Sequence, residues 1–505
     1  MDNIKDNERR FDITVFSGGT GGNSLVDLFN KIIERRRCHL HYVIPISDNG
    51  GSSSELIRFV GGPSVGDIRS RLVRLIPNPG GDEERTAIKS LFEYRLCADP
   101  VKARSEWLDV VEGRHLLWTF VSSPKRELIR SVFNTVNLEL VKRARPSSVF
   151  NFGEASIGNL FLTGARIFSG SFESAIYLLS MICEIPSSVS VLPAINSNFT
   201  HHIAVGLADG TQIVGQVAIS HPSARTSLPD EATSSSRTPH RRAPPTRGGF
   251  LNPRPHLEDG TGGEEVETEA ELQSSHVLLT DVDDDSGTET DHDRVEDASL
   301  PGSLPALRRR HVGFSKEDDE ALPARIERLW YINPYGHEIR PVANPKALAA
   351  IERSGTVVYS VGSLYTSILP SVVLRGVGRA VAEPGVRHRV LILNSRLDRE
   401  TGGGRGGATP MTARDFVMAI ARAGAESWMP GKRPWEEDEQ GVLRRFVTHL
   451  VYLEGAGEGA PRVDVDELRR LGIECVPVRG KRDSRGSLRY DEEDLGRALE
   501  AIIDS

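Results

Sequence analysis

The sequence predicts an α/β protein of the Rossmann-like, doubly wound type, with a mostly parallel sheet and helices on both of its faces. One observation is that two strand-like runs, "FDITVF" and "HLHYVIPIS", flank "NSLVDLFNKIIERR", in which apolar residues recur at helical intervals. Another is that strand-like and helical runs alternate again late in the chain, in "GTVVYS", "HRVLILNS", "ARDFVMAIARA" and "VTHLVYLEG". This order of strand, helix and strand builds the βαβ units of a parallel sheet.

The composition argues against several classes of protein. The 505 residues carry a formal net charge of −8, so the surface as a whole repels nucleic acid and we expect no nucleic-acid partner. The four cysteines lie far apart and form no metal-binding spacing, which favours reduced, mostly buried thiols. Because no run of about 18 uncharged apolar residues occurs, we expect a cytoplasmic protein without a membrane span.

A polar, low-complexity stretch interrupts the folded pattern at residues 221–322, where Ser, Thr, Pro, Arg and acidic residues dominate. Such a segment buries too little apolar surface to offset the entropy of ordering, so we expect a disordered insertion. It divides one α/β domain into a first part, 11–220, and a second part, 323–505. The flanking runs "GTQIVGQVAIS" and "IERLWYINP" are expected to be neighbours in a sheet. The sequence leaves open whether the insertion binds protein partners and whether the chain forms a homo-oligomer.

The first polar turn follows the first strand and consists of Gly18, Gly19, Thr20 and Gly21. Without Cβ atoms, the backbone N–H groups of such a turn can approach a phosphate. The structural alternative is a tight turn that needs positive φ. Asn23 stands where a G-x-G-x-x-G motif counted from Gly18 requires its third glycine, which disfavours an NAD-dependent oxidoreductase.

The second polar turn follows "HLHYVIPIS" and contains Asp48, Gly50, Gly51 and Ser52. In doubly wound folds an acidic residue at this strand end accepts hydrogen bonds from ribose or holds a metal ion. Asp48 is therefore a candidate metal ligand and catalytic residue. For Ser52 the alternative is structural, because Ser52 and Glu55 fit the capping box of a helix.

Two further polar turns follow other apolar runs. "VGDIRSRL" opens a helix with Gly66, Asp67 and Arg69. Asp67 is a second candidate catalytic carboxylate, and Arg69 is either a phosphate ligand or a solvated helix charge. "VGSLYTSILP" supplies hydroxyl groups from Ser363, Tyr365, Thr366 and Ser367. Because parallel strands end at one edge of a sheet, these turns predict a single ligand-binding edge.

The ordered motifs "SGGTG", "SDNGGSSSELI", "GDIRSRLVRL", "SIGNLFL", "DGTQIVGQ" and "VGSLYTSILP" resemble the 2-phospho-L-lactate transferase-like (CofD-like) superfamily, and most closely its gluconeogenesis factor (YvcK-like) branch. The resemblance covers roughly residues 11–220 and 325–480. It implies a nucleotide or nucleotide-sugar in the crevice between these turns, with Mg²⁺ as an additional cofactor. It also implies that Gly158 and Asn159 of "SIGN" belong to the pocket.

Two functions stay open on this basis. One is a cytosolic regulatory protein that binds a UDP-sugar-like ligand, similar to gluconeogenesis factor. The other is a transferase of the 2-phospho-L-lactate type, which moves a phosphate-linked group from a nucleotide-activated donor with a divalent metal. The chain departs from the family pattern at Asn49, the second acidic position of the D-D-G-G segment, and so lacks one anionic metal ligand. It also departs in "ADPVKARSEWLDVVEGRHLLW", which we expect to be irregular.

Overall fold

The computed structural model covers most of the chain on both sides of the expected insertion. The residues it describes are 12–47, 50–77, 80–146, 148–220, 303–304, 307, 321–404, 407, 409–483, 486 and 488–505. Nearly all of the insertion expected at 221–322 lies outside the described residues, as do Asp48 and Asn49. For Thr20 only the backbone is described.

The secondary structure alternates between strands and helices. The strands are β1 (Asp12–Phe16), β2 (Leu40–Ile44), β3 (Val189–Pro193), β4 (His202–Leu207), β5 (Gln212–Val214), β6 (Ile326–Ile332), β7 (Glu338–Ile339), β8 (Ser354–Tyr359), β9 (His388–Ile392), β10 (His449–Leu453), β11 (Glu474–Val478), β12 (Gly480–Arg482) and β13 (Leu488–Tyr490). The helices are α1 (Thr20–Asn23), α2 (Val26–Arg36), α3 (Gly51–Val60), α4 (Gly66–Arg74), α5 (Glu83–Glu93), α6 (Pro100–Glu112), α7 (Ser123–Arg143), α8 (Ile157–Ser169), α9 (Phe172–Ile182), α10 (Gln216–Ser220), α11 (Pro345–Arg353), α12 (Leu369–Val372), α13 (Val377–Ala382), α14 (Ala413–Trp428), α15 (Glu439–Phe446), α16 (Val465–Arg470) and α17 (Glu492–Asp504). Shorter turns lie at Leu116–Trp118, Leu364–Ile368 and Pro434–Glu436.

The core of the described part is a seven-stranded sheet in the order β11-β10-β9-β8-β1-β2-β3. Every strand pair in it is parallel. All residues of β1, β2, β8 and β9 are buried, which requires cover on both faces of the sheet, as helices provide in α/β folds. The predicted Rossmann-like fold class is therefore confirmed, and strands from both sides of the insertion form one sheet.

A second, antiparallel sheet has the order β5-β4-β6-β7. The runs "GTQIVGQVAIS" and "IERLWYINP" do share this sheet, but they are not neighbours, because β4 lies between β5 and β6. The second half of the first run is not a strand either, since "QVAIS" forms α10. The four-residue link between β4 and β5 allows a hairpin, which pairs those two strands first.

The segment expected to be irregular contains α6, so that expectation was wrong. Asp99 caps the helix by accepting hydrogen bonds from the N–H groups of Val101 and Lys102, and Pro100 occupies the first helical position. Gly113 ends it in the left-handed conformation with φ of 82°. An Asp-Pro start and a glycine stop are ordinary helix signals, and they outweigh the weak apolar periodicity of this stretch.

The cysteines are all free thiols. Cys38, Cys183 and Cys475 are buried and Cys97 is exposed, which agrees with the expectation of reduced, mostly buried thiols. Across the described ranges, none of the helices has both the length and the apolar character needed to cross a bilayer.

Candidate functional site

The direction of the chain through the large sheet changes between β1 and β8. From β1 the chain proceeds to β2 and β3 on one side, whereas β8 to β11 follow one another on the other side. In doubly wound folds a ligand binds in the crevice outside the carboxyl ends of the strands at such a switch point. The turns after β1 and β8 flank this point, and both were predicted to bind ligand.

The glycine turn after β1 lies directly against the turn after β8. A Cβ atom on Gly18 would lie 2.5 Å from the Cβ of Ser367, and one on Gly21 would lie 3.4 Å from the Cα of Gly362. Gly18 therefore has no room for a side chain. The structure brings together Gly18, Gly21 and Ser367, three predicted site residues from opposite ends of the chain.

The same turn also touches the start of α4. A Cβ atom on Gly19 would overlap Oδ1 of Asp67 and lie 3.0 Å from its Cγ. Gly66 is the first residue of α4 and Asp67 the second, so the helix places this carboxylate beside the glycine turn. Within the described part of the chain, the N–H groups of Gly18 and Gly19 donate no hydrogen bond. These donors are available to a ligand oxygen.

A buried arginine that was not predicted supports this turn from below. Arg71 is completely buried and donates hydrogen bonds to the carbonyl of Gly22 at 3.1 Å, the carbonyl of Gly18 at 3.3 Å and the hydroxyl of Ser17 at 3.0 Å. Its guanidinium also lies 4.3 Å from the ring centre of Tyr42. Because Arg71 holds the carbonyl groups, the turn keeps the conformation that presents its N–H groups. The sequence feature that could have identified Arg71 is its place in the motif "GDIRSRLVRL", two residues after Arg69.

The predicted residues Arg69, Asn159 and Ser52 form one hydrogen-bonded chain. Arg69 Nε donates to Asn159 Oδ1 at 3.2 Å, and Asn159 Nδ2 donates to Ser52 Oγ at 3.0 Å. Burial, followed by the charge of Arg95, lowers the pKa of Arg69 to about 10. Arg69 is therefore no ordinary solvated helix charge. Next to Asn159, a Cβ atom on Gly158 would lie 2.7 Å from Arg69 Cγ.

The expected capping box at Ser52 and Glu55 is not formed. Helix α3 begins at Gly51, and its cap is Gly50, which has no side chain to accept a hydrogen bond. Glu55 instead binds the guanidinium of Arg58 at 2.8 Å. Because the helix begins two residues earlier than the capping box requires, Ser52 lies in its first turn, where its hydroxyl accepts a hydrogen bond from Asn159.

In the turn after β8, the four predicted hydroxyl residues divide into two pairs. Tyr365 and Thr366 are buried, and the phenol of Tyr365 donates to the carbonyl of Ile326 at 3.0 Å. The hydroxyl of Thr366 donates to the carboxylate of Glu400. Both residues therefore hold the turn in place, whereas Ser363 and Ser367 are only half-buried, and Ser367 lies against the glycine turn.

Two residues after β9 fix this turn and were not predicted. Glu400 accepts hydrogen bonds from the N–H groups of Tyr365 and Thr366 at 2.9 and 3.1 Å, and burial together with the charge of Asp398 raises its pKa. The amide of Asn394 pairs with both the N–H and the carbonyl of Gly362. Asn394 ends the apolar run "HRVLIL", so the strand-end rule used for the other turns identifies it as well.

Several buried polar groups near this edge have no protein partner. They include the hydroxyls of Ser64 and Ser360 and two guanidinium nitrogens of Arg399, counted among the described residues. Ser360 follows β8 directly, Ser64 lies two residues before α4, and Arg399 adjoins Glu400. Buried polar groups in folded proteins are nearly always hydrogen-bonded to protein or to ordered water, so these groups are available to water or to a polar ligand.

The fit of a metal ion depends on few residues here. No cluster of three or more His, Cys, Asp or Glu side chains with metal-binding geometry occurs among the described positions. Mg²⁺ in nucleotide sites is commonly held by one or two carboxylates, with water and phosphate oxygens completing its shell. Asp67 beside the glycine turn fits such a role, and Asp48 lies outside the described residues.

Comparison with known proteins agrees with this architecture. The family model described as "2-phospho-L-lactate transferase CofD" matches residues 13–478. This chain belongs to the CofD family. "Uncharacterized protein YNL011C" of Saccharomyces cerevisiae is 35% identical over 491 residues, covering 97% of this chain and 99% of that protein. The resemblance to the CofD-like superfamily is thereby confirmed.

Two solved structures of protein BH3568 from Bacillus halodurans, described as a member of the UPF0052 family, share the fold. Their TM-scores are 0.53 and 0.54 at 16% identity, covering 97% of this chain and 99% of theirs. Membership of the CofD family indicates a phosphate-transferase type or a related nucleotide-binding function, and the family uses a nucleotide-type substrate and a metal.

Proposed function

We propose that the protein binds a nucleotide-sugar of the UDP-sugar class in the crevice beside β1 and β8, and that it acts as a regulatory protein. The observation that carries this proposal is Arg69. Its guanidinium is largely removed from water, as its lowered pKa of about 10 reflects, yet it forms no ion pair with a described carboxylate. Arg69 is half-buried and has the amide of Asn159 as its hydrogen-bond partner among the described residues, so a diphosphate would supply the counter-charge that this guanidinium lacks at hydrogen-bond distance.

The surroundings of Arg69 suit a diphosphate. Among the described residues, the N–H groups of Gly18 and Gly19 donate no hydrogen bond, and neither position has room for a side chain. Helices α3 and α4 both begin at this edge. Helix N-termini attract negative charge. The sugar and the ribose of the nucleoside would then contact the hydroxyls of Ser52, Ser363 and Ser367. The UDP-sugar class and the regulatory role rest on the resemblance to the gluconeogenesis factor branch.

Calorimetric titration with UDP-glucose and UDP-N-acetylglucosamine tests the proposal. We expect binding of at least one of them, and a loss of affinity in Arg69→Gln. The matched control is Arg74→Gln, which removes a more exposed guanidinium from the same helix; among the described residues its ion-pair partner is Asp27. If neither ligand binds at millimolar concentration, the proposal fails.

A transferase is the second candidate, favoured by the family match and by the contact between Asp67 and the glycine turn. In this function an acceptor hydroxyl attacks the phosphorus that bears the transferred group, and the P–O bond to the nucleoside monophosphate breaks. Asp67 accepts the hydroxyl proton, while Arg69 and the glycine turn hold the leaving phosphate. Bound Mg²⁺ would neutralise phosphate charge beside Asp67.

Product formation from a nucleoside-diphospho donor, with and without Mg²⁺, distinguishes the two functions. Turnover that requires Mg²⁺ and is lost in Asp67→Asn supports the transferase. Tight binding of the donor without turnover, and unchanged in Asp67→Asn, supports the regulatory protein. The sequence favours the latter, since Asn49 replaces the second acidic residue of the family segment.

A further inference from the structure

A second concave surface lies on the antiparallel sheet. This cleft has a volume of about 170 Å³ and lies between β6, β7 and the C-terminal end of α14. Its walls include Trp330, Trp428, Pro430, Arg340 and Arg375. Trp428 is 40% exposed although it is large and apolar. The cleft is therefore an accessible pocket with aromatic walls rather than a packing defect of the core.

The cleft is separate from the nucleotide crevice. Tyr365, in the turn after β8, contacts the carbonyl of Ile326 at the start of β6. Trp330 lies four residues further along the same strand, about 13 Å away at the usual rise per residue. Alternation along a strand also directs Trp330 to the face opposite Tyr331, whose phenol donates to Pro370 in the interior. Tyr331 and Ile339 also line the cleft, so it lies at the β6–β7 edge of this sheet, away from the start of β6.

One wall of the cleft is held rigidly. A Cβ atom on Gly206 of β4 would lie 3.2 Å from the ring of Trp330, so the indole lies on the neighbouring strand at the one position without a side chain. The guanidinium of Arg328 lies 5.1 Å from the ring centre of Trp330. A flat aromatic wall fixed in this way favours stacking with a planar ligand.

The charged side chains around the cleft include one more arginine than the glutamates can neutralise. Arg328 binds Glu338 at 2.9 Å and Glu426 at 3.1 Å, and Arg340 lies 3.6 Å from Glu426. These two arginines neutralise the two glutamates. Arg375 is exposed, and its side chain makes no hydrogen bond or ion pair with any residue in the described ranges. The net charge of this group of five residues is therefore +1.

We propose that this cleft is a binding site for a small aromatic monoanion, a single ring carrying one carboxylate. The ring would lie between the indoles of Trp330 and Trp428, and the carboxylate would pair with Arg375. The volume sets the size limit, because a cavity of about 150 Å³ accommodates a benzene molecule. The single unpaired cation, Arg375, favours a ligand with one negative charge, and the tryptophan walls favour a ligand with an aromatic ring.

Titration of the full-length protein with benzoate, and with benzamide as its neutral isostere, tests the site. Saturation-transfer NMR in a chloride buffer gives both affinities. We expect benzoate to bind with a Kd of about 1 mM or tighter, the range for a ligand of this size, and benzamide about tenfold more weakly. Equal affinity for the two ligands, or no binding of benzoate at about 20 mM, would overturn the proposal.

Two variants locate the binding. Arg375→Gln is expected to weaken benzoate about tenfold and to leave benzamide unchanged, since one charge-assisted contact is lost. Arg379→Gln is the matched control, because Arg379 is exposed and pairs weakly with Glu383 at 3.8 Å. Trp428→Ala is expected to weaken both ligands. Benzoate affinity that is the same in Arg375→Gln and Arg379→Gln contradicts the assignment, and circular dichroism confirms that each variant is folded.

Discussion

The polar groups at the amino edge of the seven-stranded sheet are mostly paired with one another, whereas those at the carboxyl edge are not. At the amino edge the hydroxyls of Thr14 and Ser354 lie 2.8 Å apart, Asp12 accepts a hydrogen bond from the N–H of His39, and His41 contacts Ser190 at 2.7 Å. These contacts connect β1 with β8 and β2 with β3. A polar group that is satisfied in this way stabilises the fold and leaves nothing for a ligand.

At the carboxyl edge several buried polar groups have no hydrogen-bond partner among the described residues. They include the hydroxyl of Ser360 and two nitrogens of Arg399, while Arg69 has the amide of Asn159 as its hydrogen-bond partner in the described part of the chain. These unsatisfied groups are the ones that the proposed ligand would use. Substitutions at the carboxyl edge should therefore lower ligand affinity, whereas substitutions at the amino edge should not.

The largest effect is expected for Gly19→Ala. The added Cβ would overlap the Asp67 carboxylate, so either the turn or α4 must move, and a displacement of about 1 Å in a binding loop costs on the order of 100-fold. Titration of UDP-sugar measures the loss. Gly385→Ala is the matched control, since a Cβ at Gly385 meets nothing within 4 Å. Undiminished affinity in Gly19→Ala would show that the turn does not contact the ligand.

A comparable or smaller loss is expected for Arg69→Gln. A charge-assisted hydrogen bond contributes about 1.5–3 kcal/mol, which corresponds to roughly 10- to 150-fold in Kd at 1.4 kcal/mol per tenfold. The unliganded variant should be about as stable as the parent, because Arg69 is half-buried and a Gln side chain can still donate to the amide oxygen of Asn159. Calorimetry measures the loss of affinity, and thermal melting measures the stability of the unliganded variant. A variant that melts far lower yet binds normally would make Arg69 a structural residue.

Glu400→Gln should affect affinity only a few-fold, with a clearer effect on stability. Burial raises the pKa of Glu400 in the folded protein, so the native state binds a proton that the unfolded state has already lost. Stability therefore decreases as the pH rises from about 4.5, the ordinary range of Glu, through the raised value.

Glu400→Gln removes this titration, and its stability should exceed that of the parent towards neutral pH by at least about 1.4 kcal/mol, the equivalent of one pKa unit. Urea denaturation at several pH values measures the difference. Parallel pH profiles for parent and variant would mean that Glu400 is ionised in the folded state across the range.

His388 is an exception at the amino edge, and its replacement should leave ligand affinity unchanged. Both ring nitrogens are buried without a partner, and burial, followed by the charge of His449, lowers the pKa of His388 to about 4. Between pH 6.5 and 4 the unfolded state binds the proton that the native state lacks. Stability is thus lost as the pH falls through this window.

His388→Leu should flatten the acid limb of the stability profile, by at least about 1 kcal/mol between pH 7 and 5. Denaturation at these two pH values provides the measurement. A changed affinity for the UDP-sugar in this variant would break the comparison between the edges, because the amino edge would then communicate with the site.

The sequence predicts the fold class and most of the carboxyl-edge turns because both depend on local patterns. Apolar periodicity identifies β1, α2 and β2, and glycine or hydroxyl residues after a strand identify the turns. Contacts between distant segments are not local. Nothing in the sequence indicates that Ser367 packs on Gly18 or that Glu400 accepts from Thr366, and Ser52 was assigned to a capping box that the early start of α3 excludes.

Hydrogen exchange with and without saturating UDP-N-acetylglucosamine compares the two edges directly. The account predicts slower exchange of the amides in the turns after β1 and β8 and at the starts of α3 and α4, with no change at the amino ends of β1, β2, β8 and β9. Slower exchange at the amino edge, or only in the cleft beside Trp330, would contradict the central claim that the carboxyl edge at the switch point binds the nucleotide-sugar.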